Sequence, residues 1–186
     1  MEDVSDGLCA SAQYALVSDI PDPLGDFLNR LREELLPSCR LLSHITLLPP
    51  RILMANPAML ERAFHDAVRL IPPFSVELGP VEVFDDTDVV YLSVKRDVGE
   101  HIQRIHDHLN QGLLKGEENF PFHPHVTLAQ EIPDGRLKET VELATRRWQE
   151  WAHNRSFRVD TLTFVRNVDP NTWMTVAEGD LHQPAA

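Results

Sequence analysis

Apolar residues recur along this chain at two spacings, one near 3.6 residues and one near 2, and their succession sets out an order of helices and strands. Leu24, Phe27, Leu28, Leu31 and Leu35 repeat at helical spacing up to Pro37. Asp22-Pro23 before them reads as an N-cap followed by a proline in the first turn. Asn56-Pro57 repeats the device ahead of Leu60, Phe64, Ala67, Val68 and Ile71, a second helix that ends before Pro72-Pro73. Ile102, Ile105, Leu109 and Leu113 mark a third helix. Leu137, Val141, Ala144, Trp148 and Trp151 or Ala152 mark a fourth, entered through the turn Pro133-Asp134-Gly135. Strands are predicted at 13–17, around 44–47 up to Pro49-Pro50, at 75–78, 81–84, 89–94 and about 122–129, and in a closing hairpin of 157–165 and 173–176 turned by Asp169-Pro170-Asn171.

The acidic turn Asp85-Asp86-Thr87-Asp88 reads as a hairpin connection or as the joint between two halves, roughly 11–86 and 87–186. Each half runs strand, helix, strand, helix, then further strands. This order predicts an α+β fold built as a two-lobed internal duplication, with mainly antiparallel sheets, helices outside and a central cleft. Residues 1–10 show no periodicity and are expected to form a loose acidic tail ahead of one domain over 11–186.

Composition narrows the function. The chain has 186 residues, 42% apolar and 25% charged, the profile of a globular domain. No apolar run approaches the roughly 20 residues of a membrane span, and the acidic start lacks the features of a secretory signal, so a cytoplasmic protein is expected. Cys9 and Cys39 have no spacing that suggests a disulfide framework or a zinc site. The net charge of −12 argues against long nucleic acid, whose binding needs many phosphates neutralised by Lys and Arg. A small nucleotide or a short RNA end is the partner this charge allows, to a protein expected to be a monomer.

Two near-copies of one string carry the candidate chemistry: His44-Ile45-Thr46-Leu47 and, 81 positions later, His125-Val126-Thr127-Leu128. On a strand, side chains alternate between faces, so His and Thr point one way and the apolar residues the other, with His and Thr about 7 Å apart. Two such strands side by side would set two imidazoles and two hydroxyls around one point. One neutral imidazole can take a proton from an attacking oxygen while a protonated one gives a proton to a leaving oxygen, and the Thr hydroxyls can hold phosphate oxygens. These paired His-x-Thr-Leu strings resemble the two-histidine (2H) phosphoesterase superfamily, which includes bacterial 2′-5′ RNA ligases and RNA 2′,3′-cyclic phosphodiesterases. The resemblance extends over most of the chain through the order of elements. It implies the two-lobed fold above and a phosphodiesterase that uses neither metal nor other cofactor, acting on a 2′,3′-cyclic or 2′-5′-linked phosphodiester, with His44, Thr46, His125 and Thr127 as catalytic residues. A binding module that grips a nucleotide or RNA end without turning it over would carry the same residues.

A phosphate would be held best with the help of a cation. Arg51, just beyond the first motif, and Arg166, near the end of a late strand, are the candidates. Many RNA-ligase-like relatives carry Arg two residues after the Leu of the second motif; this chain has Gln130, a departure that removes a fixed charge and weakens an RNA-specific assignment. His123 is expected to line the cleft rather than to form a metal pair with His125, because Pro124 is awkward in a paired strand and no third ligand stands at a recognisable offset. Phe84, Tyr91, Phe122 and Trp173 are the aromatics that could stack on a base, with core packing the alternative. His106 falls on the apolar stripe of the third helix and His101 and His108 beside it, as packed or border residues; His65 and His153 have no partner that sequence identifies.

Overall fold

Most of the apolar residues on the predicted stripes are buried or packed against the core. In the computed structural model, which describes residues 12–37, 42–169 and 172–182, the chain runs β1 (Gln13–Asp19), α1 (Leu24–Leu35), β2 (His44–Ile52), α2 (Pro57–Val68), β3 (Phe74–Phe84), β4 (Val89–Val94), α3 (Arg96–Leu109), β5 (His125–Ala129), α4 (Leu137–Glu150), β6 (Ser156–Val159), β7 (Thr161–Asp169) and β8 (Thr172–Asp180). The tail expected at 1–10, with Cys9 and Cys39, lies outside the described residues. Among the described residues, no helix is long and apolar enough to cross a membrane.

Local signals set most boundaries. The Asn56 side chain accepts a 2.9 Å hydrogen bond from the Ala58 N–H, with Pro57 in the first turn of α2. At α1 the device shifts by one residue: Pro23 is the N-cap, and Asp22 Oδ1 accepts from the Asp26 N–H at 3.0 Å. α3 stops at Leu109, so Leu113 leaves the expected stripe for a short 3-10 turn, Gly112–Leu114, and is exposed. β5 starts at His125 rather than near 122, because Pro124 has no N–H to give to a ladder.

Two strand expectations change for long-range reasons. The segments 75–78 and 81–84 are one strand, β3, which pairs with β6 over its first part and β4 over its second, with the register shifting around Gly79-Pro80. The segment 157–165 is two strands that part at Asp160 and enter different sheets.

The strands form two four-stranded antiparallel sheets, ordered β2-β1-β7-β8 and β5-β4-β3-β6. The two-lobed α+β fold is as expected, but its lobes do not follow the halves 11–86 and 87–186. The turn at 85–88 joins β3 to β4 and forces them to pair as a hairpin, so β3 leaves the first half for the second sheet. β7 and β8 cross the other way, and β7 pairs with β1. Helices cross too, since α3 packs on β2 and α1 on β5. The result is two interleaved lobes around one core, in which each His strand forms a sheet edge and β2 lies against β5.

One close approach in this packing is testable. A Cβ on Gly25, in the first turn of α1, would stand 2.0 Å from the Ile20 carbonyl oxygen, a backbone atom that no rotamer change can move. Gly25→Ala is expected to destabilise the protein by about 1–3 kcal/mol or more. Urea unfolding would show this as a lower midpoint at unchanged slope, and an unchanged midpoint would contradict the seating of α1.

Candidate active site

β2 and β5 present their residues in the same order and the same pose. His44, Thr46, His125 and Thr127 are half-exposed, and Ile45, Leu47, Val126 and Leu128 are buried. Strand alternation therefore turns each His-Thr pair to one face and each apolar pair to the core. The alternation then breaks at the same place in both copies. Against β1 the pairing skips from Thr46 to Leu48, and against β4 from Thr127 to Ala129. Each strand thus bulges at its motif Leu and sends two successive residues inward, Leu47-Leu48 and Leu128-Ala129.

Both imidazoles are held by one device. His44 Nδ1 lies 2.8 Å from the Leu42 carbonyl oxygen, and His125 Nδ1 lies 2.6 Å from the His123 carbonyl oxygen. A carbonyl only accepts, so each Nδ1 carries the proton and donates. In the neutral ring this leaves Nε2 as the free basic atom, and in the charged ring Nε2 carries the proton available for transfer. His44 is one of the charges acting on His125, which puts the two rings within electrostatic reach across the joint of β2 and β5.

Burial is the main force on their titration. It pushes both His44 and His125 below the ordinary imidazole value, against the opposing pull of the carbonyl bonds. The smaller influences differ between the copies. His44 has Arg32 pushing down and Asp19 pulling up; His125 has His123 and His44, both pushing down. Asp19 stands opposite His44 in the β1–β2 register, where Ser93 stands opposite His125.

The surroundings of His125 are aromatic. Phe84 stacks on Tyr91 at 4.1 Å, and both rings meet His125 edge-on, at 5.0 and 5.4 Å. His123 closes the group, 5.3 Å from Phe84. The Tyr91 hydroxyl donates to Glu82 Oε2 at 3.1 Å, and burial with that bond pushes its pKa up to about 12, so it stays a neutral phenol. Of the other two aromatic candidates, Phe122 stacks on the buried His106, and Trp173 stands on β8 opposite Asn167.

The remaining candidates separate. His123 is exposed and meets Phe84 and Tyr91 edge-on beside His125. Gln130 follows directly after β5 and is exposed just beyond the motif. Arg51 is turned into the protein: its side chain is 2% exposed and paired with Glu118, because it leaves β2 on the side covered by α3. Arg166 is also turned away. It pairs with Tyr14 and shares a face with Phe164, which stacks on Phe64 of α2, while the next face over carries Val17, paired with Thr46. Sequence reading passed over Arg32, a buried cation whose charge reaches His44. Its signal was position: Arg32 falls four residues after Leu28 and three before Leu35, on the apolar stripe of α1. Among the described residues, no group of three His, Cys, Asp or Glu side chains gathers as a metal site would need.

Comparison with known proteins bears on the family and the fold. A family model described as the 2′-5′ RNA ligase superfamily matches residues 20–171. A candidate phosphoesterase of Geobacillus kaustophilus is 27% identical over 130 residues, covering 65% of this chain and 70% of that protein. An RNA 2′,3′-cyclic phosphodiesterase of Bacillus subtilis is 32% identical over 77 residues, covering 38% of this chain and 41% of that one. Among solved structures, E. coli LigT without ligand shares the fold with a TM-score of 0.63 at 18% identity, over 92% of this chain and 99% of LigT; LigT has also been solved with 3′-AMP. A match that spans both His-x-Thr-Leu strings, on a fold shared from end to end with LigT, makes the chain a member of the 2′-5′ RNA ligase superfamily of two-histidine phosphoesterases.

Proposed function

We propose that the protein is a phosphodiesterase that opens a 2′,3′-cyclic phosphate, or cleaves a 2′-5′ linkage, on a small nucleotide or a short RNA end by paired imidazole catalysis without a metal. The observation that carries this is the matched anchoring of His44 and His125, each with Nδ1 committed to a carbonyl two residues before it and Nε2 left for chemistry. One neutral imidazole takes a proton from water at Nε2 as the water oxygen bonds to phosphorus. The opposite imidazolium gives its Nε2 proton to the ribose oxygen as the P–O bond breaks. Proton exchange with solvent then restores the starting pair. Thr46 and Thr127 donate to the non-bridging oxygens, where charge grows in the transition state, and the buried Arg32 adds positive potential on the His44 side. The aromatic wall of Phe84 and His123 beside His125 suits a nucleobase, and Gln130 offers an uncharged amide beside it. The nucleotide-bound LigT and the B. subtilis cyclic phosphodiesterase support this substrate class.

A panel of 2′,3′-cyclic and 2′-5′-linked substrates separates turnover from mere binding. His44→Ala and His125→Ala are each expected to lower turnover by about 10²–10⁴-fold without loss of fold. The double variant should be little worse than either single one, because members of one catalytic unit do not add. Full activity in either single variant would sink the mechanism.

The direction of the histidine shifts sets the pH profile. Activity rises as the base loses its proton and falls as the acid loses its own, and burial lowers both transitions. The bell in kcat/KM should therefore centre on the acid side of 6.5, the ordinary imidazole value, with limbs that belong to the coupled pair. A bound phosphate anion favours the imidazolium, so the bell in kcat should lie higher than that in kcat/KM. A kcat/KM bell centred above the ordinary imidazole value would contradict the downward shift of the pair.

Activity should also survive exhaustive chelation, because the imidazoles carry the proton transfers that a metal-bound hydroxide would otherwise supply. Loss with EDTA and recovery with a divalent metal would overturn the metal-free mechanism.

A further inference from the structure

Arg51, expected at the phosphate, sits instead in a buried polar knot that joins the two His strands behind the cleft. Its guanidinium donates to the Pro49 carbonyl at 2.9 Å and to Asn110 Oδ1 at 2.6 Å, and it forms an ion pair with Glu118. The same Glu118 oxygen lies 3.3 Å from His106 Nε2. His106 donates from Nδ1 to the Leu47 carbonyl at 2.8 Å, and its ring lies flat on Phe122, with centroids 3.9 Å apart and planes at 7°. Leu47 is the bulge residue of the first motif. Phe122 comes three residues before His125 and one before His123, whose carbonyl holds the His125 ring.

The lead-in to β5 has few other attachments. Residues 115–124 belong to no helix or strand, most of them are exposed, and Pro124 has no N–H to offer. β5 itself is five residues long and bonded on one side only, to β4. Gly116 fits closely under Arg51, where a Cβ would meet the Arg51 Cδ at 2.8 Å. A buried ion pair stabilises little, since the cost of desolvation offsets most of its attraction, whereas the geometry it imposes is specific.

We infer that Glu118 is a positioning residue: through Arg51 on β2 and through the His106–Phe122 stack, its carboxylate holds the lead-in to β5 against β2 and so sets where His125 stands relative to His44. The kinetic consequence rests on the paired-histidine mechanism; the placement of the His125 ring does not.

Glu118→Gln, which keeps the shape and removes the charge, and Phe122→Leu, which keeps the ion pair and removes the ring, test this independently. Either serves alone if the other fails to fold. Each is expected to lower kcat about tenfold to a hundredfold, the size of effect that a displacement of roughly 1 Å produces, while KM changes by less than about threefold. NMR titration of the imidazoles should show the His125 resonances and midpoint moved and those of His44 in place. A lower Tm with the His125 resonances and kcat unchanged would overturn the positioning role and leave the knot purely structural. If the wild-type protein turns over no substrate, the proposed function fails, and the His125 resonances alone decide for or against Glu118.

Discussion

The alternation of side chains along two edge strands is the constraint on which the rest of this structure depends. Ile45, Leu47, Val126 and Leu128 are buried to within 1% of complete cover, and each contributes about 1.5–3 kcal/mol by leaving water. A slip of one residue in both strands would exchange them with His44, Thr46, His125 and Thr127, at a cost on the order of 6–12 kcal/mol, comparable with the whole stability of a typical domain. The direction of the imidazoles is thus set by hydrophobic burial on the opposite face of the same strands. The chemistry needs no local force of its own to choose a side, only the Nδ1 bonds that choose a tautomer.

Interleaving gives that arrangement its fixed spacing. Each half of the chain supplies strands to both sheets, and each His strand is covered by a helix from the other half. Pulling the two halves of the chain apart would break the β1–β7 and β3–β4 ladders and the single core together. Under the proposed function, this interleaving holds the two histidines at a fixed spacing before substrate arrives, as proton transfer between fixed groups requires. The bulge repeated at Leu47 and Leu128 fits the same logic: it ends the alternation just past each Thr and turns the next residue into the core as well.

Charge is distributed in keeping with a small substrate. Arg51 serves inside the protein and Arg166 lies over the Tyr14 ring, so two cations that would suit an anion are spent on architecture. Under the proposed function, the phosphate is met by hydroxyls and an imidazolium, with the charge of the buried Arg32 acting on the His44 side, within a protein whose net charge is −12. Such a site suits one phosphodiester held by short-range donors better than a polyanion held by counterion release.

Much of this was legible in the sequence, because it is written at short range. Helix spacing, the Asn56-Pro57 cap, the inward Ile45 and Leu47 and the pairing of two His-x-Thr-Leu strings all depend on residues a few positions apart. The sheet that a strand joins does not. β3 goes to the second lobe because a tight turn obliges it to pair with β4, and β7 parts from β6 at Asp160 because its partner, β1, lies at the other end of the chain. The fate of Arg51 was equally hidden, since Asn110 and Glu118 are 59 and 67 residues away. A local pattern can say that a side chain leaves a strand on a given face. What that face meets is decided by the tertiary fold, and here that decision made one arginine a buried tie and left the cleft to the histidines.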